Sequence, residues 1–295
     1  MKNLFMIVNP HGGLKKGLRI LEKVKPIFQQ KQINLKILET EYAGHAQKFS
    51  NELDFKNFDG LCAIGGDGTM HELINGMLKR DDKKQIPIGL ITGGTGNAFM
   101  HDLNCLKPEH AAERITKGFQ RKIDIVKVQN ENNTIYAFNI VSWGMSTDIT
   151  MLAEKMRYFG EQRYNIAAFI EILRNKKRLV KVIIEGDTYV GDYALILACN
   201  TIHTGKSMKV APLAQLNDGM IDLVIARKSS RIHLLRLFPK LFSGDHISDH
   251  IVDYRQVKKF SIEPLENCEL GIDGEILGST PITAEVIPSA IQVLV

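Results

Sequence analysis

The sequence predicts two domains of different class: an α/β N-terminal domain on a mostly parallel sheet, and a C-terminal antiparallel β-sandwich domain. Up to about Lys122, short apolar runs alternate with helical stretches, the rhythm of a parallel sheet. Beyond it, apolar runs come in pairs around turn signals, the rhythm of an antiparallel sandwich. The 295 residues are enough for both domains. The expected domains are therefore 1–122 and 123–287, with a tail at 288–295 that packs back on the first domain.

Taken in order, Leu4 to Val8 is a buried strand, and Asn9-Pro10-His11-Gly12-Gly13 turns the chain. Leu18, Leu21, Val24 and Phe28 mark one side of a helix, and Ile33 to Leu38 a second strand. Thr40 to Ala46 carries a glycine, and Phe49 and Leu53 point to a short helix after it. Leu61 to Ile64 runs into Gly65-Gly66-Asp67-Gly68-Thr69. Met70, Leu73, Ile74, Met77 and Leu78 then form one helical stripe. Ile86 to Ile91 is a strand that runs into Thr92-Gly93-Gly94-Thr95-Gly96-Asn97. Pro108 starts a helix and Gly118 ends it.

In the second domain Ile123 to Val128 and Ile135 to Val141 flank an Asn-rich turn, and Val180 to Glu185 and Tyr189 to Ala198 flank Gly186-Asp187. Ile221 to Ala226, Phe260 to Glu263, Leu270 to Ile272 and Thr283 to Ile287 continue the strands. Two helices interrupt them, from about Leu152 to Ile172 and from Ser230 to Phe242, the second closed by Gly244.

The glycine loops carry the chemistry. Each follows a strand, and in parallel sheets ligands bind at strand carboxyl ends. A helix start gathers free N–H groups and the positive end of the helix dipole, which suits phosphate. An ordinary strand-to-helix turn would account for the glycines alone. It does not account for Asp67, which repels phosphate and fits Mg²⁺ or a hydroxyl proton better. Thr95 offers a hydroxyl and Asn97 an amide to a nucleotide, and Asn97 is equally placed to cap the next helix. Neither loop has Walker A or dinucleotide-fingerprint spacing, which argues against a P-loop NTPase and an NAD dehydrogenase.

A net charge of +5 fits an anionic ligand or membrane surface and is too weak to imply nucleic acid. The four scattered cysteines read as reduced and mostly buried. The apolar start is too short for a signal peptide, and no run spans a bilayer. A cytoplasmic protein with peripheral membrane contact is expected.

Six short motifs together resemble the diacylglycerol kinase catalytic superfamily, which includes sphingosine and ceramide kinases and bacterial lipid kinases. They are Asn9 to Gly13; Thr40 with Gly44-His45-Ala46; Gly65 to Thr69 with Glu72, Asn75 and Gly76; Gly94 to Asn97; Asn217-Asp218-Gly219; and Asp273-Gly274-Glu275. The resemblance implies an N-terminal domain like that of NAD kinases and phosphofructokinase. It also implies phosphorylation of a lipid hydroxyl by ATP and Mg²⁺ in an interdomain cleft, with catalysis by positioning and charge neutralisation.

By the same resemblance Asn9, Thr40, Gly65, Gly66, Asp67, Gly68, Thr69, Glu72, Gly94, Thr95 and Asn97 bind nucleotide. Glu275 matches a carboxylate assigned as general base in bacterial members, and Asp67 and Glu275 both remain candidates for that role. Asp218, with backbone oxygens of Gln215 and Met220, matches a structural Mg²⁺ site; a plain turn also explains it. Asp273-Gly274 is in addition a hairpin signal.

The segment Trp143 to Asp148, and Glu154 to Tyr164 after it, is more like sphingosine and ceramide kinases. There Asp148 would meet a sphingoid head group, and Arg157 and Arg163 nucleotide phosphates. On spacing alone, those arginines read as helix charges paired with Glu154 and Glu161. Leu152 stands where sphingosine kinases carry an acid, and Ala98 where many diacylglycerol kinases carry Asp. Leu234, Leu235, Leu237, Phe238, Leu241 and Phe242 form a broad apolar face that suits either a lipid surface or the core.

The expected protein is a lipid kinase acting on a sphingoid base, ceramide or diacylglycerol. Its partners are a lipid substrate and a membrane surface, with no nucleic acid; a homodimer is compatible with this reading. The rivals are an NAD kinase-like enzyme and a non-catalytic nucleotide- or lipid-binding protein.

Overall fold

The computed structural model describes residues 1–10, 15–94, 97–131, 133–205 and 207–295. The chain divides into two units, Met1–Ile125 with Pro288–Val295, and Val126–Ile287.

The first unit alternates strands and helices: β1 (Asn3–Val8), α1 (Gly17–Gln30), β2 (Asn34–Glu39), α2 (His45–Glu52), β3 (Gly60–Gly65), α3 (Asp67–Leu78), β4 (Ile88–Thr92), α4 (Ala98–Asp102) and α5 (Pro108–Lys117). The strands lie in the order β2–β1–β3–β4, all parallel, with Met6 between Ile37 and Cys62 and Ala63 beside Leu90. Near the chain end, Val293 adds a parallel partner at Ile88. β3 and β4 are buried along their whole length, as is Leu4–Val8 of β1. Burial on both faces is why they read as continuous apolar runs. α1 packs with α5, and α2 with α3. The stripe of α3 (Met70, Leu73, Ile74 and Met77) is fully buried.

The step from β1 to β2 and the step from β3 to β4 go to opposite sides, so the chain reverses direction between β1 and β3. That reversal is the topological switch point where doubly wound sheets place ligands.

Arg80, just past α3, is a structural anchor that the periodicity does not mark. Its Nη1 donates to the carbonyls of Ser50, Asn51 and Leu53 at 3.0, 2.7 and 3.0 Å, closing the end of α2. Its guanidinium lies 4.1 Å from the Phe55 ring centroid and bonds Asp82 in a fork at 2.8 Å. That fork holds the Asp82 carboxyl down at about 2, from an ordinary 3.8. A carboxyl depressed in the folded state adds stability above its unfolded value and loses it as pH falls. Arg80→Met is expected to cost roughly 3 kcal/mol at neutral pH, from three carbonyls left without a donor. It should also flatten the loss of stability between about pH 4 and about pH 2. Thermal melts of both proteins across that range check this.

The second unit is antiparallel. Its elements are β5 (Gln120–Gln129, entering from the first unit), β6 (Thr134–Ala137), β7 (Ile140–Gly144), α6 (Met145–Lys155), α7 (Arg163–Arg174), β8 (Leu179–Ile184), β9 (Asp187–Cys199), β10 (His203–Thr204), β11 (Met208–Lys209), β12 (Ile221–Arg227), α8 (Arg231–Leu237), α9 (Lys240–Ser243), β13 (Val252–Val257), β14 (Lys259–Pro264), β15 (Glu269–Ile272), β16 (Glu275–Ser279) and β17 (Ile282–Leu294, which returns to the first unit from Pro288). β9 serves two layers: Asp187–Asp192 pairs with β8, whereas Leu195–Cys199 pairs with β7 and β12. Between the layers Trp143, Val182, Leu223, Phe260 and Ile272 form the core.

Several boundaries differ from the sequence reading, each for a physical reason. The strand expected at 135–141 is two strands, because Phe138 and Asn139 leave the ladder and donate their N–H groups to Asp273. The helix expected at 152–172 begins at Met145 and is interrupted by a 3-10 stretch, Arg157–Gln162, where Gly160 has φ 59°. The helix expected at 230–242 breaks at Pro239 into α8 and α9. The β8–β9 turn is Glu185-Gly186, with φ 51° and 99°, one residue earlier than expected. The apolar face of α8 belongs to the core: Leu234 and Leu237 pack with Met145, Ile172 and Ile251. Cys62, Cys105 and Cys199 are buried free thiols, and burial pushes the Cys62 thiol up to about 12. No helix of the described residues is long and apolar enough to cross a membrane.

Candidate active site

In the first unit, the loops after β1, β3 and β4 are tied by backbone. The Asn9 N–H donates to the Ile64 carbonyl at 3.3 Å. The Gly65 carbonyl accepts from Gly93 and Gly94, at 2.7 and 3.1 Å. Gly65 has no room for a side chain, since a Cβ there would lie 2.4 Å from Thr69 Oγ1. α3 starts at Asp67 with Gly66 as its N-cap and, among the described residues, no side chain capping it; uncapped first-turn N–H groups are of the kind that suit an anion. Gly66, Asp67 and Gly68 are half-buried, and Thr69 is buried.

Asp67 has a task that its sequence context does not show. Its carboxylate accepts the N–H groups of Ala98, at 2.8 Å, and Phe99, at 3.4 Å. Those open α4, so Asp67 is its cap and locks the β3 loop to the β4 loop. Asn97, the residue expected to cap α4, turns its amide back instead and donates from Nδ2 to the Gly94 carbonyl at 2.9 Å. Its Oδ1 is buried with no hydrogen-bond partner among the described residues. Thr95 and Gly96, and residues 11–13 of the first loop, lie outside the described residues.

Two of the residues expected at the nucleotide have partners within the protein. Glu72 accepts the N–H groups of Gly44 and Ala46, at 2.9 and 3.0 Å, and so caps α2. Thr40 is buried and donates its hydroxyl to the Val8 carbonyl at 3.5 Å. Gly76 explains itself in the same way, because a Cβ there would lie 2.2 Å from the Gln47 carbonyl oxygen. Ser50 bonds Leu73 across the same contact at 2.7 Å. The later half of the signature therefore welds α3 to α2.

In the second unit, Asp273 and Gly274 form a two-residue turn between β15 and β16, with φ 52° and 93°. Positive φ at both positions is the type I′ pattern that favours Asp-Gly. The Asp273 carboxylate accepts N–H groups from Phe138, Asn139 and Ile140 at 3.3, 2.9 and 3.0 Å. It thereby presents Glu275, which is exposed at the start of β16. Nearby, Glu154 gathers both arginines: Arg157 Nε at 2.8 Å and Arg163 Nη2 at 3.1 Å. The Glu154 hydrogen bond, then its charge, raise the Arg157 guanidinium above its ordinary value, and the charge of Glu275 adds to this.

Asp148, in the first turn of α6, is paired. Lys176 Nζ lies 2.6 Å from its Oδ2, and Arg178 Nη2 also bonds that oxygen. Counting Glu171 and its partner Arg174, at 2.5 Å, three cations face two carboxylates. The anion expected to await an amine is already neutralised. Its cations sit 28 and 30 residues away, beyond any helix or hairpin spacing.

Asp218 accepts the Met220 N–H at 3.0 Å and the Gln256 amide at 3.3 Å. Beside it sequence reasoning missed Asp222, fully buried in β12. One Asp222 oxygen accepts from Tyr254 at 2.6 Å, and the other is buried with no hydrogen-bond partner among the described residues. Burial, then the Asp218 charge, push the Asp222 carboxyl above the usual range. An orphaned buried carboxylate oxygen beside a second carboxylate suits a hard divalent cation such as Mg²⁺. The signal was present: an acid inside the apolar run Ile221 to Ala226.

Glycine loops thus stand at the switch point of a parallel sheet, and antiparallel strands follow in the chain. The chain belongs to the diacylglycerol kinase catalytic family and is a lipid kinase: residues 3–128 match the diacylglycerol kinase catalytic domain, and residues 139–295 match the YegS C-terminal NAD kinase beta sandwich-like domain. It is similar to the diacylglycerol kinase of Bacillus subtilis, at 29% identity over 95% of this chain and 92% of that protein. It is similar also to sphingosine kinase 1 of Arabidopsis thaliana, at 26% identity over 94% of this chain and 68% of that protein. A crystal structure of a diacylglycerol kinase from Bacillus anthracis superposes with a TM-score of 0.80 at 23% identity, covering 99% of this chain and 96% of that one. The fold expected from the sequence, a parallel α/β part and an antiparallel NAD kinase-like sandwich, is the fold found.

Proposed function

We propose that this kinase transfers the γ-phosphoryl group of ATP to the hydroxyl of a neutral lipid, such as diacylglycerol or ceramide. The observation that carries the neutral acceptor is the pairing of Asp148 with Lys176 and Arg178. A sphingoid amine would have to displace two cations to reach that carboxylate, whereas an uncharged head group has nothing to displace.

Phosphates fit the first unit: an α3 start without a side-chain cap and an orphaned Asn97 Oδ1 that wants a donor both suit a nucleotide. Asn9, Gly65, Gly66, Gly68, Thr69 and Gly94 would form the backbone cradle, with Asn97 on a nucleotide hydroxyl or amine. Bound with Mg²⁺, ATP supplies the group transferred. Asp67 holds the β3 and β4 loops in register, as a positioning residue. Glu275, exposed and held by the Asp273 turn, takes the proton from the lipid hydroxyl. Arg157 and Arg163 leave Glu154 for phosphate oxygens. Asp218 and Asp222 would hold a structural Mg²⁺ with the Gln215 and Met220 carbonyls. Tyr158, Phe159, Phe169 and Leu173 are exposed next to these basic groups and offer the surface that rests on a membrane.

Radiolabelled ATP offered with diacylglycerol, monoacylglycerol, ceramide, sphingosine and NAD tests the reading. Label is expected in a neutral lipid. Label in sphingosine alone would return Asp148 to an amine-binding role, and label in NAD alone would overturn lipid transfer. ATP binding with no labelled acceptor would favour the non-catalytic rival.

A further inference from the structure

The second unit carries one group of side chains that the kinase reading leaves unused. His233 is the third residue of α8, Asp249 follows the 3-10 turn Asp245–Ser248, and His250 comes next. His233 Nε2 lies 2.9 Å from Asp249 Oδ1, and His250 Nδ1 lies 3.4 Å from the same oxygen. The two rings meet edge to face with centroids 5.0 Å apart. We propose that His233, Asp249 and His250 form a binding site for a divalent transition-metal ion, with Zn²⁺ the best match.

The donor set carries the argument. Two imidazoles and one carboxylate are the ligands that borderline ions prefer, and three protein ligands leave a coordination position open to water. Mg²⁺, a hard ion, favours oxygen, so this site differs in kind from the Asp218–Asp222 pair. Ligand atoms about 2 Å from a tetrahedral ion stand about 3.3 Å from one another. The three atoms here already lie within 4.8 Å of one another, so small side-chain rotations complete the triangle.

The surroundings hold the ligands in place. Ser230 caps α8 by accepting the His233 N–H at 3.2 Å, which fixes the helix turn bearing the imidazole. The Ile251 N–H donates to Asp249 Oδ1 at 3.3 Å. Lys240 Nζ stands 3.8 Å from Asp249 Oδ2, as an outer partner for the oxygen that the ion would leave. The His250 side chain is 78% exposed and the Asp249 side chain only 11%, which gives an ion a way in from solvent. Once bound, it clasps the start of α8 to the 249–250 turn.

Titration of the whole protein with Co²⁺ tests this. The expected result is one ion per chain with the strong visible absorption of a four- or five-coordinate site, bleached by one equivalent of Zn²⁺. His250→Gln, exposed and harmless to folding, should weaken Zn²⁺ binding by about tenfold or more, and His233→Gln and Asp249→Asn should do the same. Cys268→Ser, which removes the most accessible thiol, should change nothing. No such absorption in the wild type, or Zn²⁺ affinity that survives His250→Gln, would overturn the assignment.

Discussion

Asp67→Asn is expected to lower kcat for phosphoryl transfer by about 10²–10³-fold while the protein stays folded. The carboxylate accepts two backbone N–H groups at the start of α4. An asparagine keeps one acceptor and can serve one of those donors, so the stability cost is that of a weakened cap, about 1 kcal/mol. The catalytic cost is larger because the cap aligns the two loops proposed to hold phosphate, and a misplacement of about 1 Å can cost roughly 10²-fold. Steady-state kinetics distinguish positioning from proton transfer. If Asp67 positions the loops, KM for ATP rises as kcat falls; if it is the base, kcat falls alone. Wild-type turnover in the variant would remove Asp67 from the mechanism.

Asp273→Ala should do the opposite, destroying stability first and activity with it. Its buried carboxylate serves three backbone N–H groups at the break between β6 and β7. Alanine leaves all three unsatisfied and must adopt the φ of 52° that Asp tolerates better. The expected loss is about 4 kcal/mol, large against a total stability of roughly 5–15 kcal/mol. Asp273→Asn keeps an acceptor and the tolerance of left-handed φ, and should fall midway. Urea unfolding of the three proteins measures this. A loss below about 1 kcal/mol in Asp273→Ala would show that the N–H groups find other partners.

These two residues show how much the sequence revealed. Glycines, apolar runs and the α3 stripe are local signals, so the strands of the first unit and the place of the glycine loops could be read directly. The Asp-Gly turn at 273–274 was legible for the same reason. What an acid does is not local. Glu72 reaches Gly44, 28 residues back, and Asp67 reaches Ala98, 31 residues ahead. Periodicity gives the face on which a side chain lies and never its partner. Family motifs do not resolve this either: Glu72 and Gly76 belong to the signature, yet serve the α2–α3 contact. Lys176 and Arg178 carry no local signal that ties them to Asp148, and only the fold brings them there.

A neutral lipid hydroxyl is the acceptor proposed for this chain. The most direct test is the mass of the lipid recovered after incubation with Mg²⁺ and ATP in mixed vesicles of diacylglycerol, ceramide and sphingosine. The expected product is a neutral lipid heavier by one phosphoryl group, formed by the wild type and nearly absent with Asp67→Asn. Phosphorylated sphingosine as the sole product, or no phosphorylated lipid at all, would contradict it.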